Sequence, residues 1–144
     1  DRQTTLGFFL LGWAMMILLL SWPKVFFPFM WTSVYFILAP VNVWMGNHSL
    51  SEYTKKGEWG PILALWAGVL TTGLFWELWN YWSFPKWIYD LPYLDFLNLF
   101  EMPILGYLGY IPFSLELIAL YHFFTGSFRK GKKSDQEAWY IKLK

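Results

Sequence analysis

The sequence predicts an all-α integral membrane protein: a bundle of four transmembrane helices, with an interfacial aromatic segment between the third and the fourth. Three observations predict it. Apolar residues make up 56% of the 144 and charged residues only 15%, against about a quarter in ordinary soluble domains. The apolar residues gather into long uncharged runs, more continuous surface than a core this small can bury. Aromatic residues are abundant, with 11 Trp, 9 Tyr and 14 Phe, and Trp and Tyr collect where a bilayer meets water.

The first span covers about residues 5–22 and ends at Pro23. Its run 6–20 is a poor signal peptide, because only one basic residue precedes it and Ser21-Trp22-Pro23 is a poor cleavage site. The first residue is Asp1, so the sequence leaves open whether helices precede it. The second span covers 25–45, with Pro28 near its start and Pro40 inside. The third covers 60–83, where Pro61 suits a first helical position. The fourth covers 97–125. Each is near the roughly 20 residues that cross about 30 Å of hydrocarbon. None alternates as barrel strands do, so helices are the expected way to satisfy the backbone.

Trp22-Pro23-Lys24 is short enough to make the first two spans a hairpin. Residues 84–96 mix aromatics with Lys86, Asp90 and Asp95, the composition of a segment lying in the interface. Residues 1–128 form the predicted transmembrane domain, and 129–144 a basic tail. Four crossings put Arg2, Lys55, Lys56 and the six tail cations on one side, nine of the 11 Lys and Arg, and Lys24 and Lys86 on the other. The positive-inside rule places the nine in the cytoplasm, with both termini, of a bacterial inner membrane. The sequon at Asn47-His48-Ser49 falls on that side and reads as a chance match. The chain has no Cys, which excludes disulfides, thiolate chemistry and Cys-ligated metals. Neither a metal site nor a nucleic-acid surface is expected.

Polar residues inside spans are the informative ones, because a charge at the centre of a spanning helix costs about 2.5–3.5 kcal/mol. Here they are Glu77, Glu101 and Glu116, with Asn42, Asn80, Asn98 and His122. Glu77 and Asn80, three apart, share a helix face near the outer end of the third span. Asn98 and Glu101 open the fourth at the same level, so the four are expected to converge. Two such carboxyls would make an acid and a base, or a cation site. The structural alternative has Glu101 capping the fourth helix and Glu77 hydrogen-bonded between helices. Glu116 belongs to the inner half. His122 has the residue type of an axial pigment or haem ligand, but stands as a lone interfacial His, since His48 lies in a loop. Gly106, Gly109 and Pro112 predict a break in the fourth helix, with Pro112 freeing the carbonyl of Leu108.

Trp76, Trp79 and Trp82 fall at i, i+3 and i+6 and make a stripe of indoles. The stripe suits a flat apolar ligand, such as a carotenoid, a quinone, a (bacterio)chlorophyll or a lipid tail. It suits equally a contact with another membrane subunit.

Trp76-Glu77 on one span, the aromatic loop 84–96, and Glu101-Met102-Pro103 opening the next span together resemble the membrane domains of lycopene cyclases, over about residues 70–122. The family carries proline ahead of paired acids, whereas here one acid precedes the proline. The resemblance implies an isoprenoid substrate and carboxylates that do proton chemistry on a polyene. The function expected from the residues themselves is that of a small accessory subunit of a larger membrane complex, photosynthetic or respiratory, holding lipid, quinone or pigment on its aromatic faces. The alternative is a membrane-embedded enzyme with Glu77 and Glu101 as acid and base.

Overall fold

The computed structural model of the chain describes residues 2–90 and 97–128. Its order is α1 (Arg2–Ser21), α2 (Pro23–Phe26), α3 (Phe29–Trp44), α4 (Ser51–Lys55), α5 (Gly60–Trp82), the two-residue strands β1 (Asn98–Leu99) and β2 (Met102–Pro103), a 3₁₀ segment (Ile104–Gly109) and α6 (Tyr110–Phe128). The chain is mostly helical, as the all-α prediction requires. Arg2–Ser21, Gly60–Trp82 and the continuous stretch Ile104–Gly126 are long and apolar enough to cross a membrane, and Phe29–Trp44 is a shorter apolar helix. The predicted second run, 25–45, is divided at residues 27–28, where Pro28 lacks the N–H that would continue α2. Pro40 does not end α3. The tail from 129 and residues 91–96 of the interfacial segment lie outside the described residues.

The fourth span departs most from expectation. It is not helical from Leu97. Residues 98–103 close a hairpin instead, pairing Asn98 with Pro103 and Leu99 with Met102. Leu97 and Phe100 take left-handed φ values of 53° and 58°. Pro103 disfavours a helical Met102, because its ring clashes with the preceding residue. The predicted break is therefore a 3₁₀ segment ahead of the α-helix. Pro112 falls in the first turn of α6, where its missing N–H is one of those without an intrahelical partner.

Small residues bring the helices together. A Cβ on Gly12 of α1 would stand 2.9 Å from the backbone nitrogen of Ile37, so the α1 and α3 backbones nearly touch there. Phe8 stacks on Phe36 at 5.4 Å, and Trp44 Nε1 donates to Thr5 Oγ1 at 3.1 Å. Asn42 Nδ2 donates across to the Ala119 carbonyl at 2.8 Å and ties α3 to α6. These contacts gather the start of α1, the end of α3 and the end of α6 at one end of the bundle. At the other end Trp31 packs on Phe113 and Gly109, and Tyr110 of α6 lies over Gly73 of α5.

Polarity is distributed inside out. Glu77, Asn42, Asn80, Ser33 and Ser114 are among the most deeply buried side chains, while Ile17, Leu20 and Leu63 are exposed. Water would reverse that arrangement. A bilayer rewards it, since lipid tails cover apolar surface and polar groups must find partners within the protein.

Candidate functional site

Glu77 sits in the last two turns of α5, with none of its surface accessible. Tyr89 Oη donates to its Oε1 at 2.6 Å, and Tyr110 Oη donates to the same oxygen at 2.9 Å. Its Oε2 is buried and has no hydrogen-bond partner among the described residues. Trp87 Nε1 donates to Tyr89 Oη at 2.7 Å, so indole and phenol donate in series towards the carboxyl. Burial, and next the bond to Glu77, push the Tyr89 hydroxyl above the ordinary tyrosine range.

The segment after α5 folds back onto its own helix to build this. Asn80, one turn beyond Glu77 on the same face, brackets the Trp87 backbone: its Nδ2 donates to the Trp87 carbonyl at 2.9 Å, and its Oδ1 accepts from the Trp87 N–H at 3.0 Å. Ser83 Oγ donates to the Asn80 carbonyl at 2.9 Å as the helix ends. The Trp76 and Trp87 rings meet at 5.9 Å. Lys86 forms an ion pair with Glu101, which joins this segment to the hairpin.

Beside Tyr110 a groove of about 710 Å³ runs between α5 and α6. Gly68, Thr72, Gly73 and Trp76 line it from α5, and Tyr110 and Phe113 from α6. It extends along α5 from Ala64 to Trp76, about 18 Å at 1.5 Å per residue. The Thr72 hydroxyl donates to the Gly68 carbonyl at 2.9 Å, which leaves that wall effectively apolar.

Glu77 and Asn80 are thus brought together, on one helix face as their spacing predicts. Glu101 pairs with Lys86, and no hydrogen bond joins it to Glu77 among the described residues. Nor does it cap a helix: it sits in the hairpin turn. Asn98 is exposed on β1. The Trp stripe divides, since Trp76 lines the groove while Trp79 and Trp82 are 70% and 78% exposed. Glu116 is half-buried on α6. His122 is buried at the opposite end, and the 46–59 loop folds back to place the His48 ring 5.9 Å from it. His48 lies in a loop, as expected, but that loop returns beside His122, so His122 does not stand alone. Tyr89, Trp87, Lys86 and Tyr110 were not candidates from the sequence. Their only signal there is an excess of hydrogen-bonding aromatics around an intramembrane acid.

Among the described residues no group of three or more His, Asp or Glu side chains is placed to hold a metal ion. What the arrangement offers is a carboxyl with one oxygen fixed by two phenols and the other uncommitted. A buried polar atom without a partner is costly and rare in folded proteins, and Oε2 is the atom left to carry a proton or meet a ligand. Comparison with family models, with curated proteins and with solved structures gives no match.

Proposed function

We propose that the chain crosses a bilayer four times and is a membrane-embedded enzyme acting on an apolar molecule of isoprenoid or lipid type, with Glu77 handling the proton. The observation that carries this reading is the pairing of the buried carboxyl of Glu77 with the apolar groove beside Tyr110. Tyr110 belongs to both: its ring lines the groove and its hydroxyl fixes Oε1. A linear apolar substrate lying along α5 would bring one end to that phenol, and Oε2 is left to give or take a proton. Glu101, held by Lys86 near the surface, then has a positioning role and not that of a second acid. The resemblance to lycopene-cyclase membrane domains favours a polyene as substrate.

Four crossings are supported by α2 and α3 taken together, since residues 23–44 reach at most about 33 Å at 1.5 Å per residue. The distribution of Lys and Arg favours cytoplasmic termini. The test is expression of the wild-type and Glu77→Gln proteins in bacterial membranes, with mass spectrometry of total lipid extracts. The expected result is a product, or a depleted apolar precursor, in the wild type alone. Extracts that do not differ between the two would overturn the reading.

A second reading rests on Trp79 and Trp82, which are exposed and do not line the groove. They suit packing against another membrane subunit, with pigment or quinone between, and make the chain an accessory part of a larger complex. Gentle solubilisation should then retain further chains or a visible chromophore. A colourless protein that purifies alone would eliminate this second role.

A further inference from the structure

A second cleft opens at the other end of the bundle, away from Glu77. Residues of α1, α3, α4 and the first turns of α5 line it. Its volume is about 350 Å³, within the roughly 300–1,000 Å³ of ligand sites. Phe36 and Ala39 of α3, Ile62 and Trp66 of α5, Phe8 of α1 and Leu115 of α6 give it apolar walls. Its exposed rim carries Thr4, Thr54 and Lys55, with Ser51 half-buried beside them.

Among the described residues Lys55 is the only charged residue lining the cleft; Lys56 and Glu58 flank lining residues in sequence without lining it themselves. Glu52 of α4 does not line it; its Oε2 lies 3.5 Å from His48 Nδ1. The wall also holds an unfilled donor, because Trp66 Nε1 is buried and has no hydrogen-bond partner among the described residues. Trp66 stands six residues into α5, about 9 Å from the helix start.

An apolar slot, a hydrogen-bond donor part-way down and a cation at the mouth are the three groups that a glycerophospholipid presents in complement: acyl chain, ester carbonyl and phosphate. We propose that this cleft binds one anionic phospholipid, with an acyl chain between α3 and α5 and its phosphate against Lys55. The proposal shares with the Glu77 reading only the embedding in a bilayer, and either can fail without the other.

The experiment is native mass spectrometry of the full chain in a neutral detergent, titrated with phosphatidylglycerol and with phosphatidylcholine of the same chains. The wild type should bind one phosphatidylglycerol about five-fold more tightly than phosphatidylcholine, the effect of one well-placed cation. Lys55→Gln, an exposed change that leaves the helices intact, should remove that preference. Ala39→Phe, which fills the slot, should abolish retention of both lipids while circular dichroism stays helical. Glu77→Gln should change none of this. Equal affinity for the two lipids in the wild type, or a preference that survives Lys55→Gln, would overturn the proposal.

Discussion

The hydroxyl of Tyr110 reaches Glu77 Oε1 at 2.9 Å while its ring rests on Gly73, one turn earlier on the same face of α5. A Cβ at residue 73 would stand 2.8 Å from that ring. The seating of α6 on α5 at Gly73 and the setting of the carboxyl are therefore a single feature. Whatever displaces the ring also releases Glu77, and the edge of the groove moves with it.

Two variants separate the parts of this contact. Tyr110→Phe keeps the ring on Gly73 and removes one donor to Glu77, at a cost of about 1 kcal/mol for a hydrogen bond within a membrane protein. Gly73→Ala keeps the donor and pushes the ring aside, which should cost more, about 1–3 kcal/mol of overpacking. Thermal unfolding in detergent checks the order. A Gly73→Ala protein more stable than Tyr110→Phe would show that the ring is free to shift.

Gly12 offers a sharper case, because the neighbour there is backbone. A methyl group at residue 12 would meet the Ile37 nitrogen and the Phe36 carbonyl carbon, both at 2.9 Å, and neither can rotate away. Gly12→Ala should destabilise the α1–α3 pair by about 1–3 kcal/mol. Gly7, on the same helix, has nothing within 4 Å of its added Cβ. Gly7→Ala should be neutral or stabilising, by up to about 1 kcal/mol from helix propensity. The pair is measured by denaturation in mixed micelles.

Long apolar helices and the acids that interrupt them were legible in the sequence because both follow from composition along one dimension. Three long apolar helices and the shared face of Glu77 and Asn80 emerge directly from it. The start of the fourth span did not, because the hairpin at 98–103 depends on left-handed φ values at Leu97 and Phe100, residues with no local preference for them. The partner of Glu101 was equally hidden. A lysine fifteen residues earlier, beyond an aromatic loop, is reached only once that loop folds back on Asn80. His48 and His122 met for the same reason: a loop's return path is set by tertiary contacts such as those of Asn42 and Asn47.

Tyr89 gives the site a pH signature outside the spans. Its hydroxyl is pushed up from the ordinary 10.0, by burial first and then by its bond to Glu77. Below pH 10 the folded and unfolded chains both keep this proton, so the bond stabilises fully. Above it the unfolded chain releases the proton and the folded chain holds it, so stability falls as pH climbs towards the folded value. Unfolding temperatures should be level from neutral pH and decline above pH 10. Tyr89→Phe should start lower, having lost the bond, and decline less. A slope unchanged by Tyr89→Phe would assign the alkaline loss to other tyrosines.

Asn80 holds the loop that carries Tyr89, through the two bonds to the Trp87 backbone at 2.9 and 3.0 Å. It touches no part of Glu77's first oxygen, yet it determines whether the Tyr89 hydroxyl can arrive there. Asn80→Ala removes both bonds and leaves the Trp87 N–H and carbonyl to be satisfied elsewhere, at about 1–3 kcal/mol. Asn80→Asp keeps the acceptor for the Trp87 N–H and loses only the donor. Hydrogen exchange should therefore accelerate across residues 84–90 strongly in Asn80→Ala and partly in Asn80→Asp, while the middle of α5 stays protected. The lipid product attributed to Glu77 should fall in the same order. If exchange in the loop rises and the product does not fall, then Tyr110 alone is enough to set Glu77 and the Trp87–Tyr89 chain is structural.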